Sequence, residues 1–281
     1  MLTIYKEGDR ILYAPCIGDC TKCPVKHRAV IYGPVKSRRR GRSLGINPFP
    51  KFKVCSFDCI YCLRGRTVYK VDTPEKAPLQ IDVEDILKIL EKVLREVETD
   101  TIDLSGNGEP TLYPKIGELC REISKICREY SIKSFGIFTN STTLKNRNII
   151  NALKYLDHIE AKLDTGIEDK LYKINRPIET IKIRDIIEGL KNLRNINAEK
   201  VIQILLFKYY ENGIELKNYT SEDAEKIVEI LRIVEPDYIN IYTIYRPVET
   251  RYKLLQVTYE EVYDYVKVLE SNGFKVRLFL T

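Results

Sequence analysis

The apolar positions of this chain follow two alternating spacings from about residue 81 onward. Val83, Ile86, Leu90 and Val93 recur at the three- and four-residue spacing of a helix that buries one face. Short runs such as TIDLSG have the length and composition of buried strands. The pattern predicts helices near residues 83–97, 114–130, 146–156, 183–196, 221–235 and 258–271, and strands near residues 43–49, 101–106, 133–141, 158–164, 200–207, 237–245 and 274–280.

Regular alternation of strands and helices is typical of β-α units repeated around a parallel sheet. About six units are predicted, fewer than the eight of a closed (β/α)8 barrel, so we expect an α/β fold with a partial (β/α)6 TIM-like barrel at residues 44–281, closing on a C-terminal strand. Residues 1–43 are rich in Gly, Pro, Cys and Arg, and we expect a small basic, metal-binding N-terminal extension there. Active sites of such barrels lie at the carboxyl ends of the strands, so residues at strand exits are the first functional candidates.

Composition excludes a disordered or fibrous chain, because 44% of the 281 residues are hydrophobic and 31% are charged.

Charge is unevenly distributed along the chain. Of the 46 basic and 40 acidic residues, residues 1–76 hold 16 and 6, so the entire positive excess lies in the N-terminal part. A basic lobe indicates an anionic partner such as RNA or a phosphorylated substrate. The alternative is a solvated, highly charged surface of the kind seen in thermophilic proteins.

The eight cysteines raise the question of compartment. The first ten residues carry four charges instead of a signal peptide, and no apolar run approaches the roughly 20 residues of a membrane span. We therefore expect a cytoplasmic protein without membrane contact, in which clustered thiols bind metal and do not form disulfides. Cys120 and Cys127 lie in phase with the apolar face of a predicted helix and are expected in the core.

Three cysteines in the segment KVCSFDCIYC form the first candidate metal site. Cys55, Cys59 and Cys62 have C-x3-C-x2-C spacing at the exit of the first predicted barrel strand. A [4Fe-4S] cluster normally takes four cysteines, so three leave one iron open to a small-molecule ligand, and Tyr61 supplies a flat apolar face beside it. Zinc is the alternative, but zinc favours a closed set of four ligands, and the sequence near this loop offers no fourth cysteine or histidine.

A glycine-rich turn, GNGEP at residues 106–110, follows the next predicted strand, and its bare backbone suits close approach of a ligand. Glu109 of this turn stands 47 residues after Cys62. With both motifs in a β-α repeat, the chain resembles the radical S-adenosylmethionine superfamily, in which C-x3-C-x-aromatic-C follows the first strand and a Gly-Glu-Pro turn follows the second. The resemblance covers roughly residues 44–245.

The resemblance implies a role for each matching residue. Cys55, Cys59 and Cys62 would hold a [4Fe-4S] cluster whose open iron chelates the amino and carboxylate groups of S-adenosylmethionine, with Tyr61 near the adenine. The other implied cofactor-binding residues are Gly106, Asn107, Gly108 and Glu109 at the turn, Thr139, Asn140 and Ser141 at the third strand exit, and Lys162 and Asp164 at the fourth. Glu109 and Lys162 are the candidates for a catalytic role. Asn107 between two glycines, and Ser141 where the family often has glycine, depart from the usual pattern.

The implied chemistry is radical. One electron, supplied by a reductant such as ferredoxin or flavodoxin, cleaves S-adenosylmethionine to methionine and a 5′-deoxyadenosyl radical that abstracts hydrogen from substrate. The segments KSRRRGRSLGINPFPKFKVCSFDCIYC, KINRP and YRP further resemble a branch related to the archaeal wyosine-base synthases, which modify a guanosine of tRNA. The resemblance thus implies tRNA as a partner. Two alternatives stay open: a radical enzyme acting on a small phosphorylated metabolite or a peptide, and a non-enzymatic iron-sulfur or zinc protein that binds RNA or carries electrons.

A second cysteine triplet lies in the N-terminal extension. Cys16, Cys20 and Cys23 repeat the C-x3-C-x2-C spacing, and Pro24 follows as in many iron-sulfur loops. We expect a second [4Fe-4S] cluster here. His27 extends the motif to C-x3-C-x2-C-x3-H, so a zinc knuckle is the alternative, and unliganded thiols are a third.

A run of arginines lies between the two cysteine loops. Guanidinium groups suit phosphate, so Arg38, Arg39, Arg40 and Arg42 are candidate substrate-binding residues. The alternatives are that the run is a solvated surface, and that one arginine braces the cluster loop or the barrel mouth.

Overall fold

The computed structural model describes residues 3–17, 22–245 and 252–280. Its strands are β1 Tyr5–Glu7, β2 Arg10–Ala14, β3 Ile31–Ser37, β4 Gly41–Ile46, β5 Val54–Cys55, β6 Tyr69–Lys70, β7 Thr101–Leu104, β8 Ser134–Thr139, β9 His158–Lys162, β10 Glu199–Leu205, β11 Lys208–Glu211, β12 Ile214–Lys217, β13 Tyr238–Tyr242, β14 Lys253–Leu255 and β15 Val276–Phe279. Its α-helices are α1 Val83–Leu94, α2 Ile116–Glu129, α3 Arg147–Leu153, α4 Glu168–Ile174, α5 Ile183–Asn192, α6 Ser221–Val234 and α7 Tyr259–Ser271.

One large sheet forms the barrel. Its order is β1-β2-β3-β4-β7-β8-β9-β10-β13-β15, and every pair from β4 to β15 is parallel. At least one α-helix connects each of these strands to the next, which gives six strand-helix units and a closing strand. The fold is therefore the predicted partial TIM-like α/β barrel, with the carboxyl ends of its strands on one side.

Helix boundaries follow local capping chemistry. At the start of α6 the Thr220 side chain accepts from the Asp223 N–H, and the Asp223 carboxylate accepts from the Thr220 N–H at 2.8 Å. Thr258 and Glu261 form the same reciprocal pair at the start of α7. The buried faces of these helices pack on the sheet in one continuous core, and Cys120 and Cys127 of α2 lie in it, as their spacing predicts.

The N-terminal extension continues the barrel sheet. β2 pairs with β3 in parallel, and β3 forms an antiparallel hairpin with β4, the first barrel strand. The expected boundary at residue 43 therefore falls inside β4, and the sheet runs across it. These early strands were not expected, because their apolar positions are interrupted by Gly33, Pro34 and Lys36.

A small antiparallel sheet, order β12-β11-β14, also lies outside the predicted pattern. Its Tyr209, together with Phe207 and Tyr252, forms an apolar cluster with Ile60 and Tyr61 of the cysteine loop. This sheet therefore supports the loop that carries the candidate metal site. Across the three described ranges, no helix has the length and apolarity needed to cross a membrane.

Candidate active site

The cysteine loop is held against the exit of β7 by backbone bonds. Val54 of β5 accepts a hydrogen bond from the Glu109 N–H at 2.9 Å and donates to the Asn107 carbonyl at 3.3 Å. Gly108 permits this approach, since its φ is +114° and a β-carbon there would stand 1.7 Å from the Val54 carbonyl oxygen. The last glycine of the turn thus serves the contact between the two loops.

Asn47, at the exit of β4, joins three segments around the site. Its side-chain oxygen accepts from the Asn107 N–H at 2.9 Å, and its amide donates to the carbonyls of His27 and Ala29 at 3.1 and 3.0 Å. The side chain is almost fully buried. It therefore fixes the glycine turn and the N-terminal extension relative to the first barrel strand.

Each sulfur of the central triplet has an N–H donor. The Asn140 amide lies 3.5 Å from Cys55 Sγ, the Asn175 amide 3.5 Å from Cys59 Sγ, and Lys53 Nζ 3.1 Å from Cys62 Sγ. Such donors stabilise the negative charge of metal-bound thiolates. Within the described ranges, no three His, Cys, Asp or Glu side chains group tightly enough to hold a single metal ion.

The three free thiols fit an iron-sulfur cluster chemically. Burial raises the pKa of the Cys55 thiol to about 12 and that of Cys59 to about 11, and neighbouring sulfurs add to both shifts. Thiols with such values are protonated at neutral pH, so metal must displace the protons. Burial acts to lower the pKa of Lys53, but the adjacent sulfurs outweigh it and hold that pKa above its usual value.

Glu109 joins the exits of β7 and β8. One carboxylate oxygen accepts from Thr111 N, Thr111 Oγ1 and Thr139 Oγ1 at 3.1, 2.6 and 2.7 Å, and the other accepts from the Asn140 N–H at 2.5 Å. The residue is 1% exposed, and this burial raises its pKa against the effect of the donors. In this arrangement the carboxylate organises both strand exits, and its expected role toward S-adenosylmethionine stays a prediction.

The segment after β8 turns through a strained residue. Ser141 has φ +72°, the left-handed region that favours glycine, and its hydroxyl donates to the Lys162 carbonyl at 2.9 Å. Asn140 beside it donates to Ser56 Oγ of the cysteine loop at 2.8 Å. The serine thus keeps the backbone conformation that glycine would adopt and adds a bond to β9.

Tyr61 is fixed by a polar network at the exit of β9. Its hydroxyl donates to Asp164, whose carboxylate also accepts from Asn175 Nδ2 at 2.7 Å and Lys162 Nζ at 3.1 Å. Lys162 Nζ lies 5.0 Å from the centre of the Tyr61 ring. Burial and the Asp164 charge raise the pKa of Tyr61 well above its usual value, so the phenol stays protonated.

A cavity of about 590 Å³ connects the two cysteine loops. The wall includes Tyr61 and Cys62 of the central loop, Cys16 and Cys23 of the N-terminal loop, and Lys162. Gly106 and Gly108 also line it, whereas Cys20 lies outside the described residues. The barrel fold therefore brings both predicted cysteine motifs to one space, which the sequence did not establish.

His27 faces the central loop. Its Nδ1 contacts the Arg64 guanidinium, and its backbone N–H lies 3.5 Å from Cys23 Sγ. Burial, with the Arg64 charge, lowers the pKa of His27 to about 4. The ring is therefore neutral at neutral pH, and its Nδ1 is directed at a cation.

The arginine run is divided among three environments: a buried ion pair, the outer surface and the cavity wall. Arg40 is buried in an ion pair with Asp103, with Arg40 NH2 2.9 Å from the carboxylate, and Arg42 pairs with Glu98 and Asp100 on the outside. Arg42 adjoins Ser43, which pairs with the first residue of β7, so it lies at the amino ends of the barrel strands. This placement differs from the expectation that all four arginines face substrate, because Arg40 is buried against Asp103 and Arg42 lies at the end of the strands opposite the candidate active site.

Arg38 and Arg39 line the cavity. Arg39 pairs with the buried Glu160 of β9, and its guanidinium lies 4.4 Å from the Tyr242 ring centre. Arg38 lies 5.4 Å from the ring centres of Tyr245 and Phe279. The tip of the β3–β4 hairpin therefore reaches across to the last barrel strands.

Two residues that hold the site were not predicted from the sequence, Asn47 and Asn175, and neither was the contact of Lys53 with Cys62. Asn175 belongs to the KINRP segment, and Asn47 follows the first barrel strand in SLGINPF. The available signal for Asn47 was its position at a strand exit, where polar side chains meet, whereas Asn175 caps the end of α4 and gave no such signal. Spacing alone does not connect Asn175 with Cys59, which lies 116 residues earlier.

Comparison with known proteins identifies the same family that the sequence motifs resemble. Residues 49–217 match the Radical SAM superfamily, more than half of the chain. A UPF0026 protein of Synechocystis sp. is 31% identical over 218 residues, which are 77% of this chain and 76% of that protein.

Two solved structures share the fold. A radical SAM methyltransferase from Sphaerobacter thermophilus superposes with TM-score 0.59 at 13% identity, over 86% of this chain and 67% of that chain. TYW1 with a lysine-pyruvate adduct bound gives TM-score 0.56 at 19% identity, over 85% and 77%. The chain therefore belongs to the radical SAM superfamily and is an S-adenosylmethionine-dependent radical enzyme.

Proposed function

We propose that this radical enzyme acts on a base of tRNA, bound in the cavity between the two cysteine loops. The observation that carries the proposal is the basic character of the cavity wall, which contains five Lys or Arg side chains and no acidic one among the described residues. Two of the five, Arg39 and Lys162, are paired with the carboxylates of Glu160 and Asp164, which do not line the wall. The basic wall residues are Lys36, Arg38, Arg39, Arg64 and Lys162. Tyr32, Phe138, Tyr242 and Tyr245 line the same space and suit base stacking, and TYW1 shares the fold.

The protein's own residues would hold and orient the reacting groups. Cys55, Cys59 and Cys62 would bind a [4Fe-4S] cluster, which when bound supplies the electron that cleaves S-adenosylmethionine. Lys162 and Asp164 would position the cofactor beside Tyr61, whose ring is already fixed. Glu109, with Thr139 and Asn140, would keep the strand exits in register.

The N-terminal cysteines would hold a second metal site at the other end of the cavity. The support is that Cys16 and Cys23 line the wall that also contains Cys62. A second [4Fe-4S] cluster is the proposal, and zinc is the alternative. Iron, sulfide and zinc analysis of anaerobically purified protein distinguishes them. Cys16→Ala is expected to remove only the second metal site, and loss of both sites would contradict their independence.

Binding of tRNA tests the substrate proposal. Retention of labelled tRNA is measured between about 50 and 200 mM salt, where phosphate contacts weaken strongly. Lys36→Gln/Arg38→Gln is expected to lower the slope of log K against log salt by about 2. Lys191→Gln/Lys267→Gln, at exposed positions on α5 and α7, is the matched control. Absence of binding at the lowest salt, or equal slopes for both variants, would reject tRNA as the substrate.

A small phosphorylated metabolite is the second candidate. The volume of about 590 Å³ lies within the range of small-molecule sites, and Arg39 and Lys162 stand at its wall, each held in place by a buried carboxylate. This candidate predicts that 5′-deoxyadenosine release is stimulated by a small-molecule extract from which RNA and protein have been removed. Stimulation by tRNA alone would exclude it.

A further inference from the structure

The central cysteine loop has two different sides. Residues 61–64 line the cavity, where S-adenosylmethionine and substrate would bind. The next residues do not line it: the Arg66 side chain is 95% exposed, and Val68 and Tyr69 are 65% and 44% exposed. The loop therefore offers one side to the cavity and another to solvent.

The solvent side is bonded to the backbone of Cys55 and of Lys53. β6 pairs with β5, so that Lys70 lies opposite Cys55, and the Val71 N–H donates to the Cys55 carbonyl at 3.2 Å. Tyr69 N–H donates to the Lys53 carbonyl at 3.0 Å, and Lys53 Nζ in turn lies 3.1 Å from Cys62 Sγ. The exposed strand β6 is thus the direct neighbour of the strand that carries Cys55.

The surface combines exposed apolar groups with basic ones. Tyr69 stacks on Phe52 with ring centres 4.6 Å apart, and Val68 precedes it. Lys51, Arg66 and Lys70 are exposed around this pair. Two acidic residues adjoining the loop are less exposed: Asp58 lies 3.9 Å from Arg66 and has 18% side-chain exposure, and Asp72 pairs with Lys76 and has 15%. We call Lys51, Arg66, Val68, Tyr69 and Lys70 the outer ribbon.

We propose that the outer ribbon docks an acidic, one-electron carrier protein that reduces the cluster. The inference rests on the proposed cluster at Cys55, Cys59 and Cys62. One electron passes from the reduced carrier to the oxidised cluster, so the carrier loses one electron and the cluster gains one. No bond forms or breaks, and no proton moves.

Geometry and charge both favour this occupant. With S-adenosylmethionine and substrate in the cavity, a macromolecular donor reaches the cluster from the solvent side of the loop. Electron-transfer complexes are small and transient, which suits a patch of this size. An apolar centre with a basic rim is complementary to an acidic partner and speeds its encounter.

The test distinguishes an effect on docking of the carrier from an effect on the cluster itself. The cluster-loaded protein is mixed anaerobically with a reduced bacterial flavodoxin or with dithionite, and bleaching of the cluster absorbance is followed. Arg66→Glu/Lys70→Glu is compared with Lys191→Glu/Lys267→Glu, which reverses the same number of charges on outer helices. The measured quantity is the ratio of the flavodoxin rate to the dithionite rate, which normalises for any change at the cluster itself.

We expect this ratio to fall at least about tenfold at low salt in Arg66→Glu/Lys70→Glu, to recover partly at high salt, and to stay unchanged in the control. Val68→Ser/Tyr69→Ser is expected to lower the ratio at all salt concentrations. Equal ratios in all variants would overturn the docking surface while dithionite still supports 5′-deoxyadenosine release. An outer-ribbon variant that loses tRNA binding but keeps its ratio would likewise overturn it, in favour of an RNA contact. Failure of the dithionite reaction in the unmodified protein would instead contradict the proposed cluster.

Discussion

The carbonyl oxygen of Val54 lies where a β-carbon on Gly108 would stand, at 1.7 Å from the ideal position of that atom. This contact joins the cysteine loop to the turn after β7, with the Val54–Glu109 and Val54–Asn107 backbone bonds on either side. The two motifs that define the family in sequence are thus one structural unit.

Gly108→Ala is expected to destabilise this unit. The new methyl group meets backbone and the φ of +114° is unfavourable for alanine, so we expect a loss of about 2–4 kcal/mol in the free energy of unfolding and a lower iron content after reconstitution. Gly117→Ala is the control, because Gly117 lies in α2 with no atom within 4 Å of its added β-carbon. There we expect a gain of about 0.5–1 kcal/mol. Urea denaturation measures both, and equal stabilities would contradict the role of Gly108.

Lys53→Met is expected to lower the reduction potential of the cluster. The ammonium lies 3.1 Å from Cys62 Sγ and 2.7 Å from the Gly65 carbonyl, and a positive charge there favours the more negative, reduced form. Lys53→Arg keeps the charge and is expected to restore most of the potential. Redox titration followed by electron paramagnetic resonance measures the shift. A potential that does not respond to the methionine variant, in protein with normal iron content, would show that Lys53 only anchors the loop.

Arg40→Met is expected to cost stability without removing a substrate contact. Loss of the Arg40 guanidinium leaves the Asp103 carboxylate buried and without its counter-ion, at a cost of about 3–5 kcal/mol in the free energy of unfolding. Arg42→Met breaks exposed ion pairs and is expected to cost about 0–1 kcal/mol. Denaturant midpoints give both values. Normal stability of the Arg40 variant together with lost tRNA binding would return Arg40 to the substrate site.

Ser141 is expected to tolerate glycine better than alanine. Ser141→Ala loses the bond to the Lys162 carbonyl and keeps the strained φ of +72°, so we expect a loss of about 1 kcal/mol. Ser141→Gly loses the same bond but relieves the strain, and we expect a smaller loss. Thermal denaturation of the two variants checks the order. A more stable alanine variant would show that the left-handed conformation carries no cost here.

Local sequence determined the periodic elements well. The apolar spacing of Ile86, Leu90 and Val93 marks α1, which buries one face, and TIDL marks β7, a short strand buried on both faces. Predicted ends were less accurate: the helix predicted to Val97 ends at Leu94, and the one predicted from Pro114 begins at Ile116. The three strands before β4 were missed. In β3, Gly33 and Pro34 interrupt the apolar pattern, and the strand is defined by its hydrogen bonds to β4.

The sequence by itself determined the family and its chemistry, because the candidate iron-sulfur ligands lie within one loop and are recognised by their spacing along the chain: Cys55, Cys59 and Cys62 lie within eight residues. Tertiary structure decided which polar residues serve those ligands. Asn175 reaches Cys59 across 116 positions, and Arg40 meets Asp103 across 63. It also decided that the arginine run divides between a buried pair, the barrel interior and the outer surface. Such pairings depend on which strands become neighbours in the barrel, and no local pattern of hydrophobicity or charge encodes that choice.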